Sequence, residues 1–218
     1  MQPIRLNHLK NKHLNQKGVI IGGGPSINKL LEKKFPFDQL KNKYTIIGCN
    51  VAYKLINCHY LLFVDVWFWE NFYKDLKSLK NTTILCSRRE KYEKNKIYIP
   101  PHFLTMQTDG MRYPFINKDS ILCNNVGSSA ISLSQYLGLT EIYLFGIDST
   151  KNQEKYNFHN EYINKNKMPN NKVYNNHYEN LKFITDQLIQ KHHKKIYSCS
   201  DISSLNQNIE YVDPFSIL

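Results

Sequence analysis

The sequence predicts an α/β domain with a mostly parallel sheet and helices on both of its faces. Two observations predict it. Val19-Ile20-Ile21 runs straight into Gly22-Gly23-Gly24-Pro25-Ser26 and then a helical stretch over 27–33, the order of a first strand turning tightly into a first helix. Beyond it, short apolar or β-branched runs alternate with segments of helical spacing, the pattern of strands joined by helical crossovers.

Each element has its own signal. Residues 44–49 read as a second strand ending at Asn50, and 60–64 as a third ending at Asp65. A helix over 67–79 follows, and its aromatics Trp67, Phe68, Trp69, Phe72 and Tyr73 suit packing on the sheet better than stacking on a sugar. Residues 82–86 read as a fourth strand. The stretch 87–120 is irregular, broken by Pro100, Pro101, Gly110 and Pro114, with a short strand near 97–99. Over 127–137 a helix places Ala130, Leu133 and Leu137 on one face and stops at Gly138. Residues 141–145 read as a buried strand that ends in Gly146-Ile147-Asp148. The segment 150–176 is rich in Asn, Lys and Tyr and too long for an ordinary connection, so it reads as a flexible lid. Helical spacing resumes over 177–192 through Leu181, Ile184 and Leu188, and 195–199 reads as a last strand. The expected organisation is a polar N-terminal extension (1–16), a single Rossmann-like domain (17–149 with 177–218) and the lid (150–176).

Composition narrows the function classes. The net charge is +11, from 29 Lys and Arg against 18 Asp and Glu, which favours anionic partners such as nucleotides, acidic glycolipids or a membrane face. The charge is dispersed and forms no long basic arm, so nucleic acid is not an expected partner. Cys49, Cys58, Cys86, Cys123 and Cys199 are odd in number and lack zinc-ligand spacing, as reduced thiols of a cytoplasmic protein would be. Residues 1–17 are polar and basic, unlike a secretory signal, and the longest apolar stretch, 60–69, contains Asp65 and is too short to span a bilayer. Peripheral attachment to the inner membrane through charge, and assembly into a homo-oligomer, both stay open.

The glycine turn carries the chemistry. Glycines let backbone N–H groups approach a ligand with no Cβ in the way, and Pro25 and Ser26 suit a helix start whose open N–H end attracts phosphate. A tight turn with no ligand has the same composition. In a parallel sheet, ligands lie outside the carboxyl ends of the strands, which selects 22–26, Asn50, Asp65 and Asp148 as one rim. Isoleucine at 27 and asparagine at 50 exclude the dinucleotide fingerprint, and the lysine of a P-loop is missing. What remains is a nucleotide or sugar nucleotide. No cofactor is expected, and no pair of Asp, His or Cys marks a metal site, although Asp65 and Asp148 sharing a magnesium ion is a rival reading.

At this point the sequence resembles a family. The segment 19–26, Cys49-Asn50, Asn125-Val126-Gly127, Leu137-Gly138 with Glu141-Ile142-Tyr143-Leu144, Gly146-Ile147-Asp148, Tyr156 with Phe158, and His177 occur in the order and approximate spacing of the bacterial sialyltransferases of glycosyltransferase family 42, the Campylobacter lipooligosaccharide enzymes among them. The resemblance spans roughly 17–199. The 6-hydroxymethylpterin diphosphokinase-like and flagellin-modification families share the first two pieces. The resemblance implies metal-independent, inverting transfer of sialic acid, or a related nonulosonate, from a CMP-activated donor to a sugar hydroxyl of a cell-surface glycan. It implies His177 as general base and Tyr156, aided by Thr150, on the departing phosphate. Gly22, Gly23, Gly24, Pro25, Ser26, Asn50, Asp65, Asn125, Val126, Gly127 and Asp148 would hold the donor. Three departures from the family pattern stand out: Thr150 replaces a second tyrosine, Asp65 an asparagine, and Cys123 an arginine. They leave two rivals open, a magnesium-dependent diphosphokinase-like phosphoryl transferase and a non-catalytic nucleotide-binding module.

Overall fold

The computed structural model describes residues 6–87, 104–106, 116–117, 120–121, 125–150, 158 and 171–218. The strand expected near 97–99, Cys123 and Tyr156 lie outside the described residues. Ten strands are seen among the described residues: β1 (Lys17–Ile21), β2 (Thr45–Cys49), β3 (Tyr60–Phe63), β4 (Thr83–Ser87), β5 (Leu104–Met106), β6 (Ile116–Asn117), β7 (Ser120–Ile121), β8 (Glu141–Phe145), β9 (Lys195–Ser198) and β10 (Glu210–Tyr211). Eight of them form one sheet in the order β10-β9-β8-β1-β2-β3-β4-β5, with every neighbouring pair parallel. β6 and β7 make a separate antiparallel ladder.

The helices are α1 (Ser26–Glu32), α2 (Val66–Ser78), α3 (Val126–Tyr136) and α4 (Asn171–His192). Alternation along the strands sorts the core into two layers. Ile20, Ile47, Leu62 and Ile142 face α3 and α4, meeting Ile131, Leu133, Leu181 and Leu188. Val19, Ile21 and Phe145 face the other way, onto Ile27 and Leu30 of α1. On that same side Leu61 and Phe63 pack against Phe68, Trp69 and Leu76 of α2. Phe63 and Trp69 stack at 6.3 Å, so Phe68 and Trp69 of this run are core, with Trp67 and Phe72 partly buried beside them and Tyr73 exposed. The expected α/β Rossmann-like class with helices on both faces is therefore the observed one. No helix among the described residues is long and apolar enough to cross a membrane.

Four differences have physical causes. Residues 6–16 are no loose extension: Leu6 and Leu9, on a 3-10 turn at Leu6–Leu9, are each 3% exposed and belong to the core. Burying such a side chain contributes about 1.5–3 kcal/mol, more than the polar sequence around them suggests. α4 begins at Asn171, six residues inside the segment assigned to the lid; Asn, Val and Tyr there are poor helix formers, so this turn extends a helix already nucleated by its packed stretch around Leu181 to Leu188. β5 and the β6–β7 ladder lie within the stretch read as irregular. β10 was not anticipated either; its two residues are exposed and carry no periodic signal.

Chain order along the sheet reverses at β1 and β8. From β1 the chain winds outward through β2, β3, β4 and β5, whereas β8 leads to β9 and β10 on the other side. Two loops therefore leave the adjacent carboxyl ends in opposite directions and open a crevice there.

Candidate functional site

A cleft of about 180 Å³ opens at that reversal point. Its walls are Gly22–Pro25 after β1, Cys49 and Asn50 after β2, 125–127 at the start of α3, 146–150 after β8, and His177 and Leu181 on α4. Of the sequence-derived residues, Gly22, Gly23, Gly24, Pro25, Asn50, Asn125, Val126, Gly127, Asp148, Thr150 and His177 thus come together. Cys49, Gly146 and Ile147, which above only carry the resemblance, join them, as do Ser149 and Leu181. The strand-end rule reaches Gly146, Ile147 and Ser149, and helical spacing from His177 reaches Leu181.

Two of the three turn glycines answer to packing. A Cβ on Gly22 would sit 2.4 Å from the Gly146 carbonyl oxygen and 2.5 Å from Ile147 Cδ1. On Gly24 it would sit 2.3 Å from Asp148 Oδ2. The ends of β1 and β8 are laced together by Gly22 N–H donating to Phe145 O at 2.7 Å and Gly24 N–H to Gly146 O at 2.8 Å. Close approach of two backbones therefore requires glycine here before any ligand does. Gly22→Ala is expected to cost about 1–3 kcal/mol, read as a lower denaturation midpoint with unchanged m-value; a neutral result would refute this packing account.

Asp148 corrects the expected role of Ser26. The carboxylate is 2% exposed; Oδ2 accepts from the Ser26 N–H at 2.9 Å and Oδ1 from the Ser26 hydroxyl at 2.8 Å. Ser26 is spent on this bond and does not line the cleft. The start of α1, read above as an open phosphate seat, already holds an internal anion. Burial pushes the Asp148 carboxyl above its ordinary range, opposed by its donors, Ser26 among them.

Asp65 also departs from expectation. It is exposed and does not line the cleft. It follows β3 while Asp148 follows β8, three strands away, which is about 14 Å at ordinary strand spacing. Magnesium holds its oxygen ligands at about 2 Å, so one ion does not bridge the two carboxylates. No group of three or more His, Cys, Asp or Glu among the described residues is arranged to hold a metal.

Among the described residues, two buried amide atoms in the cleft lack partners. Asn125 forms a capping box at the start of α3: its Oδ1 accepts from Ser128 N–H at 2.8 Å, which fixes the amide and leaves Nδ2 buried without an acceptor. Asn50 adopts a left-handed conformation (φ 52°), which asparagine tolerates, and its Oδ1 is buried without a donor. Such atoms are costly unless a ligand completes them. The α3 start, facing the cleft with an unused amide donor, is thus better suited to an anion than the α1 start.

His177 lies in the second turn of α4, not at its beginning as expected, and is half-buried. Burial lowers its pKa below the ordinary 6.5, and the nearby Asp65 charge opposes this in part. The ring is neutral at physiological pH, the form a general base needs. Cys49 is an inert neighbour, since burial pushes its thiol strongly upward.

Comparison with known proteins adds the family. The 6-hydroxymethylpterin diphosphokinase MptE-like family matches residues 2–154, most of the chain and all of β1 to β8. The chain belongs to the MptE-like family. Solved structures related to this MptE-like chain include the MAf glycosyltransferase of Magnetospirillum magneticum AMB-1, with a TM-score of 0.65 at 15% identity over 99% of this chain and 36% of that one. This chain thus spans about a third of that protein's length. The sialyltransferase CstII of Campylobacter jejuni, in complex with the substrate analogue CMP-3FNeuAc, gives a TM-score of 0.52 at 18% identity, covering 91% of this chain and 86% of that one. CstII in complex with a trisaccharide acceptor and CMP gives 0.53 at 21%, covering 90% and 86%. At these identities the likeness is one of fold. No curated protein matches the chain. The sequence resemblance to family 42 is thus corrected in rank: the family is MptE-like, and the sialyltransferases share the architecture.

Proposed function

We propose that this MptE-like protein is a transferase that moves a sialic acid or related nonulosonate from a CMP-activated donor to a sugar hydroxyl of a cell-surface glycan. The single observation that carries the reading is a neutral, half-buried imidazole, His177, facing the same cleft as the α3 start and the unsatisfied amides of Asn50 and Asn125. His177 takes the acceptor proton as the hydroxyl attacks the anomeric carbon from the face opposite the phosphate. The bond to the phosphate oxygen breaks, inverting that centre, and CMP leaves. The donor amide Nδ2 of Asn125, at the α3 start, suits the phosphate. The acceptor Oδ1 of Asn50 suits a neutral donor such as a sugar hydroxyl and repels phosphate oxygens. Gly23 and Thr150 lie along the same wall, and by the family resemblance Tyr156, aided by Thr150, would support the departing phosphate.

A magnesium-dependent phosphoryl transfer is the second reading, favoured by the family match over 2–154. It lacks a shared carboxylate site, as the separation of Asp65 from Asp148 implies. A thermal-shift panel of CMP, UDP, GDP and ATP with magnesium separates the two. At about 100 times its Kd, a ligand stabilises by about 2.7 kcal/mol, which raises the Tm of a chain this size by about 5–10 °C. CMP is expected to give that shift with or without EDTA. A shift by ATP–magnesium alone, abolished by EDTA, reverses the ranking.

A further inference from the structure

We propose that the pole opposite the cleft docks on an anionic lipid surface, held by Lys10, Lys12, Lys194 and Lys195 together with the exposed side chain of Leu14. In an all-parallel sheet every strand starts at one end, so the cleft at the carboxyl ends and the starts of β1, β8 and β9 lie on opposite poles. Five residues of β1 separate them by about 17 Å.

Backbone hydrogen bonds make this pole one contiguous surface. Asn11, His13 and Asn15 donate their N–H groups to Tyr136 O, Leu137 O and Gly138 O at 2.9, 2.8 and 3.0 Å, fixing the lysine-bearing segment on the turn after α3. Thr140 N–H then donates to Gln16 O, and Lys195 N–H to Thr140 O, both at 3.0 Å. The start of β9 and the end of α4 are thereby drawn against the same turn, with Gln135 Nε2 and His192 Nδ1 3.1 Å apart.

Charge and exposure identify the partner. Lys10, Lys12 and Lys194 have no carboxylate partner among the described residues. Glu141, at the start of β8, is bonded to Lys17 at 2.7 Å and also feels the charge of Lys195. Lys194 is half-buried, and that burial pushes its ammonium below the ordinary range, a cost that an arriving anion would relieve. Leu14, 58% exposed, is the most exposed large apolar side chain among the described residues and belongs to the segment that carries Lys10 and Lys12, against the turn at Gly138. A cationic surface with an exposed leucine fits a headgroup layer, where the lysines meet anionic lipid and the leucine enters the acyl boundary. Single-stranded nucleic acid calls for aromatic platforms, and the exposed aromatics Tyr73, Tyr211 and Phe215 lie outside this segment. Docked this way, the cleft opens away from the bilayer. The surface does not depend on the donor proposed above, because its assay reads vesicles and not transfer.

The test is sedimentation of the full chain with phosphatidylcholine vesicles, with and without about one-third phosphatidylglycerol, at an ionic strength of about 0.1 M. Binding is expected only to the anionic vesicles. Each lysine near the surface is worth about fivefold, so Lys10→Gln/Lys12→Gln/Lys195→Gln is expected to weaken binding about 100-fold. All three side chains are exposed, and an unchanged Tm checks that the fold is intact. Lys29→Gln/Lys54→Gln/Lys74→Gln removes the same charge from α1, the 3-10 turn after β2 and the body of α2, all away from the strand-start pole, and is expected to change binding less than about fivefold. Equal losses for the two triple variants, equal binding to both kinds of vesicle, or binding to RNA with none to vesicles would each overturn the proposal.

Discussion

Transfer by a His177→Ala variant is expected to fall about 10²–10⁴-fold, the usual contribution of a positioned general base, while CMP affinity stays within about threefold of wild type. The base takes a proton from the acceptor and makes no bond to CMP, so the loss belongs in kcat with donor binding preserved. The pH profile gives an independent reading. Burial sets the His177 pKa below 6.5, so wild-type kcat/KM is expected to be flat above that value and to fall about tenfold per unit once pH drops below the lowered pKa. A His177→Gln variant, with no titrating ring, should lose that acid limb. Stability follows the same sign: the native state binds this proton less tightly than the unfolded chain, so the His177 contribution is full above pH 6.5 and is lost as pH falls through the lowered pKa. Abolished CMP binding with unchanged residual turnover would remove His177 from the chemistry.

Asp148→Ala is expected to cost about 3 kcal/mol of stability, because it leaves the Ser26 N–H and hydroxyl buried without partners and opens a void behind Gly24. For a domain of this size the Tm should fall by about 6–12 °C. Asp148→Asn is expected to cost under about 1 kcal/mol, since Oδ1 can accept from Ser26 N–H while Nδ2 donates to the Ser26 oxygen. The two variants also differ from wild type in pH response. The folded Asp148 pKa lies above 3.8, so the native state binds this proton more tightly than the unfolded chain. Its contribution is full below pH 3.8 and is lost as pH rises through the raised pKa. The Asn variant should therefore gain on wild type as pH rises from 3.8 through the raised pKa, measured by denaturant unfolding at each pH. Equal costs for Ala and Asn would mean that the carboxylate charge, not the pairing with Ser26, holds the turn.

The two variants test different layers of one crevice. Asp148 fastens α1 to the end of β8 and gives the cleft a rigid floor. His177, on α4, stands on the opposite wall, where the α3 start supplies donors. The internal carboxylate also changes which helix start serves a ligand: α1 is already neutralised, and the eleven-residue α3 is open to the cleft.

Much of this was legible in local sequence. Val19-Ile20-Ile21 and the runs at 60–63 and 141–145 marked their strands within about two residues, and the Leu181, Ile184 and Leu188 spacing marked the body and end of α4 but not its start, because burial on both faces of a parallel strand and on one stripe of a helix writes itself into neighbouring residues. Strand ends then located Gly22, Asn50 and Asp148 on the cleft. Tertiary structure alone decided that Ser26 serves Asp148, a pairing across 122 residues, that Asp65 stands apart from Asp148, and that Leu6 and Leu9 complete the core. Residue type and spacing carry the period of an element, whereas which groups satisfy one another is fixed only when distant segments are brought within hydrogen-bond reach.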